Sequence, residues 1–253
     1  MRQSVGRPAN IQPPELTGVG FDQKLNDRLP LDAAFRDEDG RSISLRHYFA
    51  TKPVIIAPVY YQCPMLCTQV LNGLITSLRA VSLNAGRDFE VLAVSFDPAE
   101  TPALARQKKD GYVKRYAREG AESGLHFLTG DASSIAALTA AMGFRYTYDP
   151  KTRQFAHASG ILIATAEGRI ARYLYGVEYA PRDVRLGIVE ASAGRIGSPI
   201  DQLMLFCYHY DPATGKYTTV VMNIVRAAAA ITVLGLVTMI AVFLRRERKL
   251  TSV

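Results

Sequence analysis

Cysteine is scarce in this 253-residue chain, yet two of its three cysteines stand four apart, in Cys63-Pro64-Met65-Leu66-Cys67. The pair follows an apolar run, Val54 to Tyr61, and opens an apolar-periodic segment, Leu66 to Leu83. The run reads as a buried strand, and the segment as a helix with Pro64 in its first turn. Helical positions four apart share a face, so the two sulfurs are expected one turn above the other. Orphan amides and the macrodipole at a helix start favour negative charge, so both thiols are expected to ionise easily. Paired thiolates then have two uses. They close into a disulfide, or they hold a soft, thiophilic metal.

Other donors are few. His157 immediately precedes an apolar strand, Ala158 to Ala164; taken alone, it reads as a strand-end histidine bonded to backbone. Asp97 ends a second apolar strand, Phe89 to Phe96, and either faces the cysteine helix or serves the Asp97-Pro98 turn. Cys207 and His209 lie two apart, which puts them on one strand face. They read either as a second soft donor pair or as a structural cysteine among aromatics. His47 and His126 belong to no donor pattern, and Asp37 and Asp39 read as turn residues.

The elements that must position these groups alternate between period 2 and period 3.6. Residues 1–28 are a polar lead-in rich in proline and glycine. Leu29 to Leu45 alternates around Asp37-Glu38-Asp39-Gly40, a hairpin signal. After the central strand and cysteine helix come the strand Phe89 to Phe96, a polar helix Thr101 to Arg118 and a short strand Leu125 to Leu128. A helix Ala132 to Met142 follows, capped by Asp131. Phe144 to Tyr148 and Ala158 to Ala164 are strands flanking the Asp149-Pro150 turn. Ile170 to Tyr175 pairs back on the latter across Ala166-Glu167-Gly168-Arg169, and Pro181 to Ala193 is a last helix. This order predicts an α/β sandwich with helices on both faces of a mixed central sheet, over residues 29–193. A connector follows at 194–219, with a turn at Asp211-Pro212-Ala213-Thr214-Gly215.

The sequence strand, cysteine-bearing helix, strand, helix, strand, strand is that of thioredoxin-like proteins. A thioredoxin would carry CxxC, and a peroxiredoxin would carry Thr three residues before its cysteine; Tyr60 and the CxxxC spacing fit neither. The chain instead resembles the SCO/SenC family of thioredoxin-like, copper-binding cytochrome oxidase assembly proteins. The residues that carry this are Tyr61-Gln62-Cys63-Pro64-Met65-Leu66-Cys67, then Val94 to Pro102 (VSFDPAETP), then Phe155-Ala156-His157-Ala158-Ser159. The resemblance runs from about Leu29 to Arg185. It implies one copper ion held by Cys63, Cys67 and His157. It also implies a membrane-anchored metallochaperone that delivers copper to the copper-site subunit of cytochrome c oxidase, or exchanges it with another carrier. Two departures stand out: Thr68 follows the second cysteine where the family most often has Pro, and Ala156 precedes the histidine where Asp is common.

The donor chemistry agrees with that implication. Thiolates select Cu(I), and imidazole also accommodates Cu(II). A structural zinc site would want a fourth ligand, for which the sequence offers no obvious candidate. A different class of function uses the same pair as an extracytoplasmic thiol–disulfide oxidoreductase, with Cys63 attacking a partner disulfide and Cys67 resolving the mixed disulfide. A peroxidase is disfavoured by the missing Thr and by the closeness of the two cysteines.

Charge and hydropathy bound the setting. Of the formal charge of +7, the tail Arg245-Arg246-Glu247-Arg248-Lys249 supplies +3. No basic stripe interleaved with aromatics remains, which argues against a nucleic-acid partner. Ala227 to Leu244 carries no charge, and extended back to Val220 it meets only Asn223 and Arg226 as strongly polar interruptions. A bilayer core needs ~20 apolar residues, so 220–244 is expected to be a C-terminal transmembrane helix, with 245–253 a cytoplasmic basic tail. The main domain is then expected outside the cytoplasm, on the periplasmic side. Met1 to Asn26 has no apolar core to act as a secretory signal, so an upstream segment is missing, the start is taken too late, or the orientation is inverted. An upstream export segment is the expectation, because an extracytoplasmic site suits the cysteine pair best. Protease added outside intact spheroplasts should therefore remove residues 1–219 and spare the tail; protection of the cysteine region would reverse the orientation.

Overall fold

The computed structural model describes residues 18–63 and 66–197, and beyond them Tyr210–Asp211, Lys216–Tyr217 and isolated positions between 226 and 239. Two units emerge, one of residues 13–197 and one joining 1–12 to 198–253.

The first unit is built on β4 (Val54–Val59) and β5 (Glu90–Ser95), whose residues are all buried. The apolar stretches Val54–Val59 and Val91–Val94 within them are what parallel strands need when both faces are covered. They pair in parallel with Ile55 opposite Val91, and β6 (Leu125–Leu128) continues the parallel set beyond β5. On the other side β9 (Gly160–Ala164) runs antiparallel to β4, and β10 (Ile170–Tyr175) antiparallel to β9. The mixed sheet has the order β10-β9-β4-β5-β6. Three shorter strands precede it in the chain: β1 (Gly20–Phe21), and β2 (Ala34–Arg36) with β3 (Ser42–Ser44) as the expected hairpin.

Helices cover both faces. In α1 (Leu66–Ala80), Val70, Leu71, Leu74, Ile75 and Leu78 are buried, a stripe at helical spacing. Helix α2 (Pro102–Tyr116) starts at Thr101, whose hydroxyl accepts the Leu104 amide. A single turn, α3 (Ala121–Gly124), leads into β6. Asp131 caps α4 (Ala132–Ala141) through the Ser134 amide at 2.7 Å, as the sequence predicts. Ile135, Leu138 and Met142 of α4 and the turn after it meet Pro58, Val94 and Phe96 on one face. Gly187 of α5 (Pro181–Ser192) packs on Ile163, which is opposite Ile55 and therefore on the other face.

Two features of this sheet place the site. Pairing of β9 to β4 stops at Ile56, so Pro58, which has no amide to donate, faces no ladder partner on that side. And because β9 is antiparallel to β4, its first residue lies near the end of β4. The chain just before Gly160 thus arrives beside the residues just after Val59. That preceding chain departs from expectation. His157 does not sit at the head of β9; it ends a separate strand, β8 (Gln154–His157), paired antiparallel with β7 (Phe144–Asp149). Strand β7 also pairs with β1, making a second, three-stranded sheet. The β7–β8 turn is tied by Asp149, which accepts the Lys151 amide and the Thr152 hydroxyl, and Arg153 takes a positive φ.

In the second unit, Tyr210–Asp211 pairs with Lys216–Tyr217 as a two-stranded hairpin around residues 212–215. Among the described residues no helix is long and apolar enough to cross a membrane. Most of 220–244 lies outside the described residues; Arg226, Ala229, residues 232–236 and Met239 are helical and exposed.

Helix α1 is fixed from outside by a close approach. A Cβ on Gly73 would collide with the backbone carbonyl of Val177, in the segment after β10. Gly73→Ala gains about 1 kcal/mol of helix propensity but forces two backbones apart at a cost of roughly 1–3 kcal/mol. A net loss of stability is expected in urea unfolding, with a lower midpoint and unchanged slope; a gain would mean that this segment is free to move.

Candidate metal centre

Cys67 is the second residue of α1, one turn before Val70 and Leu71, so its side chain falls on the buried stripe. Its sulfur accepts the Tyr60 amide at 3.4 Å, directly after the end of β4. Cys63 precedes the described start of the helix, while Pro64 and Met65 lie outside the described residues. Its sulfur accepts the Cys67 amide at 3.4 Å. This is the cap-like arrangement in which a side chain satisfies an orphan N–H at a helix start. The two sulfurs are not joined as a disulfide.

His157 completes the group. Its Nε2 lies 3.2 Å from Cys67 Sγ, and its Nδ1 lies 2.8 Å from the carbonyl oxygen of Ala158. A carbonyl only accepts, so Nδ1 carries the proton, and in the neutral ring Nε2 offers its lone pair toward the sulfur. The ring is further held by Tyr60, Phe96 and Phe144, at centroid distances of 5.9, 5.2 and 6.2 Å. The backbone carbonyl does the orienting that an acidic neighbour at position 156 would otherwise do. Ligand atoms of Cys63, Cys67 and His157 all lie within 4.8 Å of one another, and all three residues are buried.

The acidity of this site differs from the sequence expectation. Burial first, and then a hydrogen bond with Cys63, push the Cys67 thiol well above the usual thiol range. The helix start does not make it easy to ionise, because desolvation of a thiolate outweighs the favourable amides. Its proton is therefore held toward His157 Nε2, and a soft cation arriving there takes the proton's place. Two sulfurs and one imidazole nitrogen suit copper better than a harder ion.

Two residues that the sequence did not single out support the donors. Glu100, buried after β5, accepts the amides of Tyr61 at 2.8 Å and Gln62 at 2.7 Å, and the Ser95 hydroxyl at 2.5 Å. It thereby fixes the two residues that lead into Cys63. Burial pushes its carboxyl up and outweighs those three hydrogen bonds. Burial, followed by a hydrogen bond with Cys63, likewise raises the Tyr60 phenol well above its usual value, so it stays protonated against the sulfurs. The only sequence hint of Glu100 was its place inside VSFDPAETP; nothing local predicts that its carboxylate turns back to the cysteine loop.

The other candidates fall elsewhere. Asp97 is half-buried and its carboxylate accepts the Ala99 amide at 2.9 Å, the turn role. It is not in the metal-competent group. Cys207 and His209 lie outside the described residues. His126 sits 3.4 Å from Glu90, at the start of β5, the opposite end from the Glu100 turn.

Residues 25–190 match the SCO1/SenC family model, well over half of the chain. The chain belongs to the SCO1/SenC family. No curated protein sequence matches it. Among solved structures, a protein from Aquifex aeolicus VF5 is 23% identical with a TM-score of 0.59, over 68% of this chain and 96% of its own. Yeast Sco1, crystallised with copper bound, is 17% identical with a TM-score of 0.52, over 71% of this chain and 94% of its own. BsSco, a member of the Sco family of cytochrome c oxidase assembly proteins with an identified disulfide switch, is 19% identical, TM-score 0.51, over 68% and 98%. At these identities the likeness is one of fold: the SCO1/SenC domain here is an α/β, thioredoxin-like sandwich with a mixed sheet.

Glu100→Ala tests the support. It orphans two main-chain amides, each costing roughly 1–3 kcal/mol. Lower stability in urea and about tenfold or more weaker metal affinity are expected, whereas Glu100→Gln should retain part of both. Undiminished affinity in the alanine variant would show that the Cys63 loop is held without Glu100.

Proposed function

We propose that this SCO1/SenC protein binds one copper ion through Cys63 Sγ, Cys67 Sγ and His157 Nε2 and passes it to cytochrome c oxidase during assembly. The observation that carries the reading is the donor group itself: three soft or borderline ligand atoms within 4.8 Å, with His157 Nε2 aimed at Cys67 by the Nδ1 bond to Ala158. Yeast Sco1 crystallised with copper, and BsSco as a family member in oxidase assembly, support it by analogy. The cargo leaves by ligand exchange: an incoming thiol bonds copper and sheds its proton, one protein sulfur releases the ion, and that sulfur takes up the proton. The oxidation state of copper is unchanged in this exchange.

The finer parts of the proposal concern place and partner. Residues 220–244 anchor the protein in a membrane, the tail 245–253 lies in the cytoplasm, and the SCO1/SenC domain works on the other side. The support is the apolar length of that stretch and the cations after Leu244. The recipient is the copper-site subunit of the oxidase.

A second reading has its own observation. Cys63 and Cys67 are close and both reduced, so Cys63 thiolate attack on a partner disulfide, with Cys67 closing the Cys63–Cys67 bond, would reduce that partner. Burial of Cys67 in its thiol form argues against rapid resolution.

Anaerobic titration of the reduced protein separates the two. One copper per chain is expected, and Cys63→Ser or Cys67→Ser should abolish it. Two thiolates alone retain Cu(I), whereas Cu(II) needs nitrogen support, so His157→Ala should weaken Cu(II) binding strongly and Cu(I) modestly. The same variant should reduce a model disulfide at a near-normal rate. Loss of exchange with copper binding intact would promote the oxidoreductase reading.

A further inference from the structure

Cys63 differs from the other two donors in what lies outside it. It lines a groove of about 630 Å³ between α1 and α2, which Cys67 and His157 do not line. The remaining wall includes Gln62, Thr68, Gln107, Lys108 and Arg115. Tyr112 closes one side, stacked on Phe127 at 5.7 Å with its hydroxyl 3.5 Å from the Thr68 carbonyl. No acidic side chain is among the described lining residues.

The cations of α2 are divided by face. Lys109 is buried and bonded to Glu38 at 2.6 Å, with Glu122 at 3.4 Å. Arg106 pairs with Asp39 and Glu122. Lys108 and Arg115, on the groove side, have no carboxylate within ion-pair reach among the described residues. Glu100, whose carboxylate reaches the two residues before Cys63, is turned inward on Ser95 and the Tyr61 and Gln62 amides. A positive wall, uncompensated among the described residues, therefore stands beside Cys63.

Resting on the copper reading, we infer that this groove receives an acidic, cysteine-bearing segment of the exchange partner, and that copper enters and leaves through Cys63. Lys108 and Arg115 hold the segment's carboxylates and raise the local concentration of its thiol at Cys63. The incoming sulfur bonds Cu(I), the Cu–Cys63 bond breaks, and the proton shed by the incoming thiol goes to Cys63. Cys67 and His157 keep the ion until that exchange has occurred, since neither is reached from this side.

The test uses the full chain carrying one Cu(I) and two synthetic peptides, acetyl-Asp-Glu-Cys-Glu-Asp-amide and acetyl-Lys-Lys-Cys-Lys-Lys-amide. Anaerobic stopped-flow mixing reads the rate at which each removes copper. The acidic peptide should be faster by roughly tenfold at low salt, an advantage that fades near about 0.5 M salt. Lys108→Glu with Arg115→Glu should reverse the preference while leaving one copper per chain. A second readout needs no metal: the acidic peptide with Ser in place of Cys should bind the metal-free wild type and shift amide resonances of Gln62, Thr68 and Gln107, and should not bind the double variant. Normal copper loading with rates indifferent to peptide charge, or faster for the lysine peptide, overturns the groove assignment. Failure of the wild type to load copper overturns the copper reading instead, and the metal-free binding experiment then decides the groove by itself.

Discussion

The contact between Cys67 Sγ and His157 Nε2, 3.2 Å long, joins two pieces of chain that belong to different sheets. Cys67 is carried by the helix that follows β4, and His157 by β8, the strand paired with β7 in the three-stranded sheet. For the contact to exist, α1 must be seated on the main sheet and the β7–β8 hairpin must be seated against Tyr60 and Phe96. The antiparallel entry of β9 beside the end of β4 does the second of these. Because its pairing ends at Ile56, the chain before Gly160 is released toward the cysteine loop rather than continued along the sheet.

Bringing sulfur and imidazole together in a water-poor corner has electrostatic consequences. Desolvation favours neutral groups, so Cys67 is held as a thiol, and Tyr60 as a phenol, in the metal-free protein. A cation reverses this balance, because the same low dielectric that penalises an isolated thiolate strengthens its bond to positive charge. The site is thus poised for metal rather than for a free thiolate. Glu100 supplies the stiffness: three hydrogen bonds converge on one buried carboxyl, and two of them fix the backbone immediately before Cys63. A loop pre-ordered in this way spends little further entropy on binding.

Helix α2 contributes none of the three donors, yet its charge is organised about them. Lys109 and Arg106 are consumed in tying the helix to the β2–β3 hairpin and to Glu122. Burial of the Lys109–Glu38 pair is tolerable because Glu38 also accepts the Phe127 amide at 3.2 Å. Burial alone would raise the Glu38 carboxyl, but the Lys109 bond and backbone donors outweigh it and hold it below its usual value. The residues one step round the helix are left to the groove, so a single α2 both fastens the fold and charges the approach to Cys63.

Local patterns in the sequence determined most of the framework. The apolar runs Val54–Val59 in β4 and Val91–Val94 in β5, the Asp131 cap, the Asp37–Gly40 turn and the apolar stripe of α1 each depend on neighbours within a few positions. The CxxxC spacing at the head of that helix was likewise enough to bring Cys63 and Cys67 together. The partner histidine was legible only by resemblance, and its strand was misplaced, because a four-residue β8 between turn residues has no periodicity of its own. Tertiary structure alone decided the high proton affinity of Cys67, the inward turn of Glu100 and the location of the cationic groove. Each of these is set by burial and by atoms dozens of residues away in the chain, and neither burial nor long-range distance is written in a window of sequence.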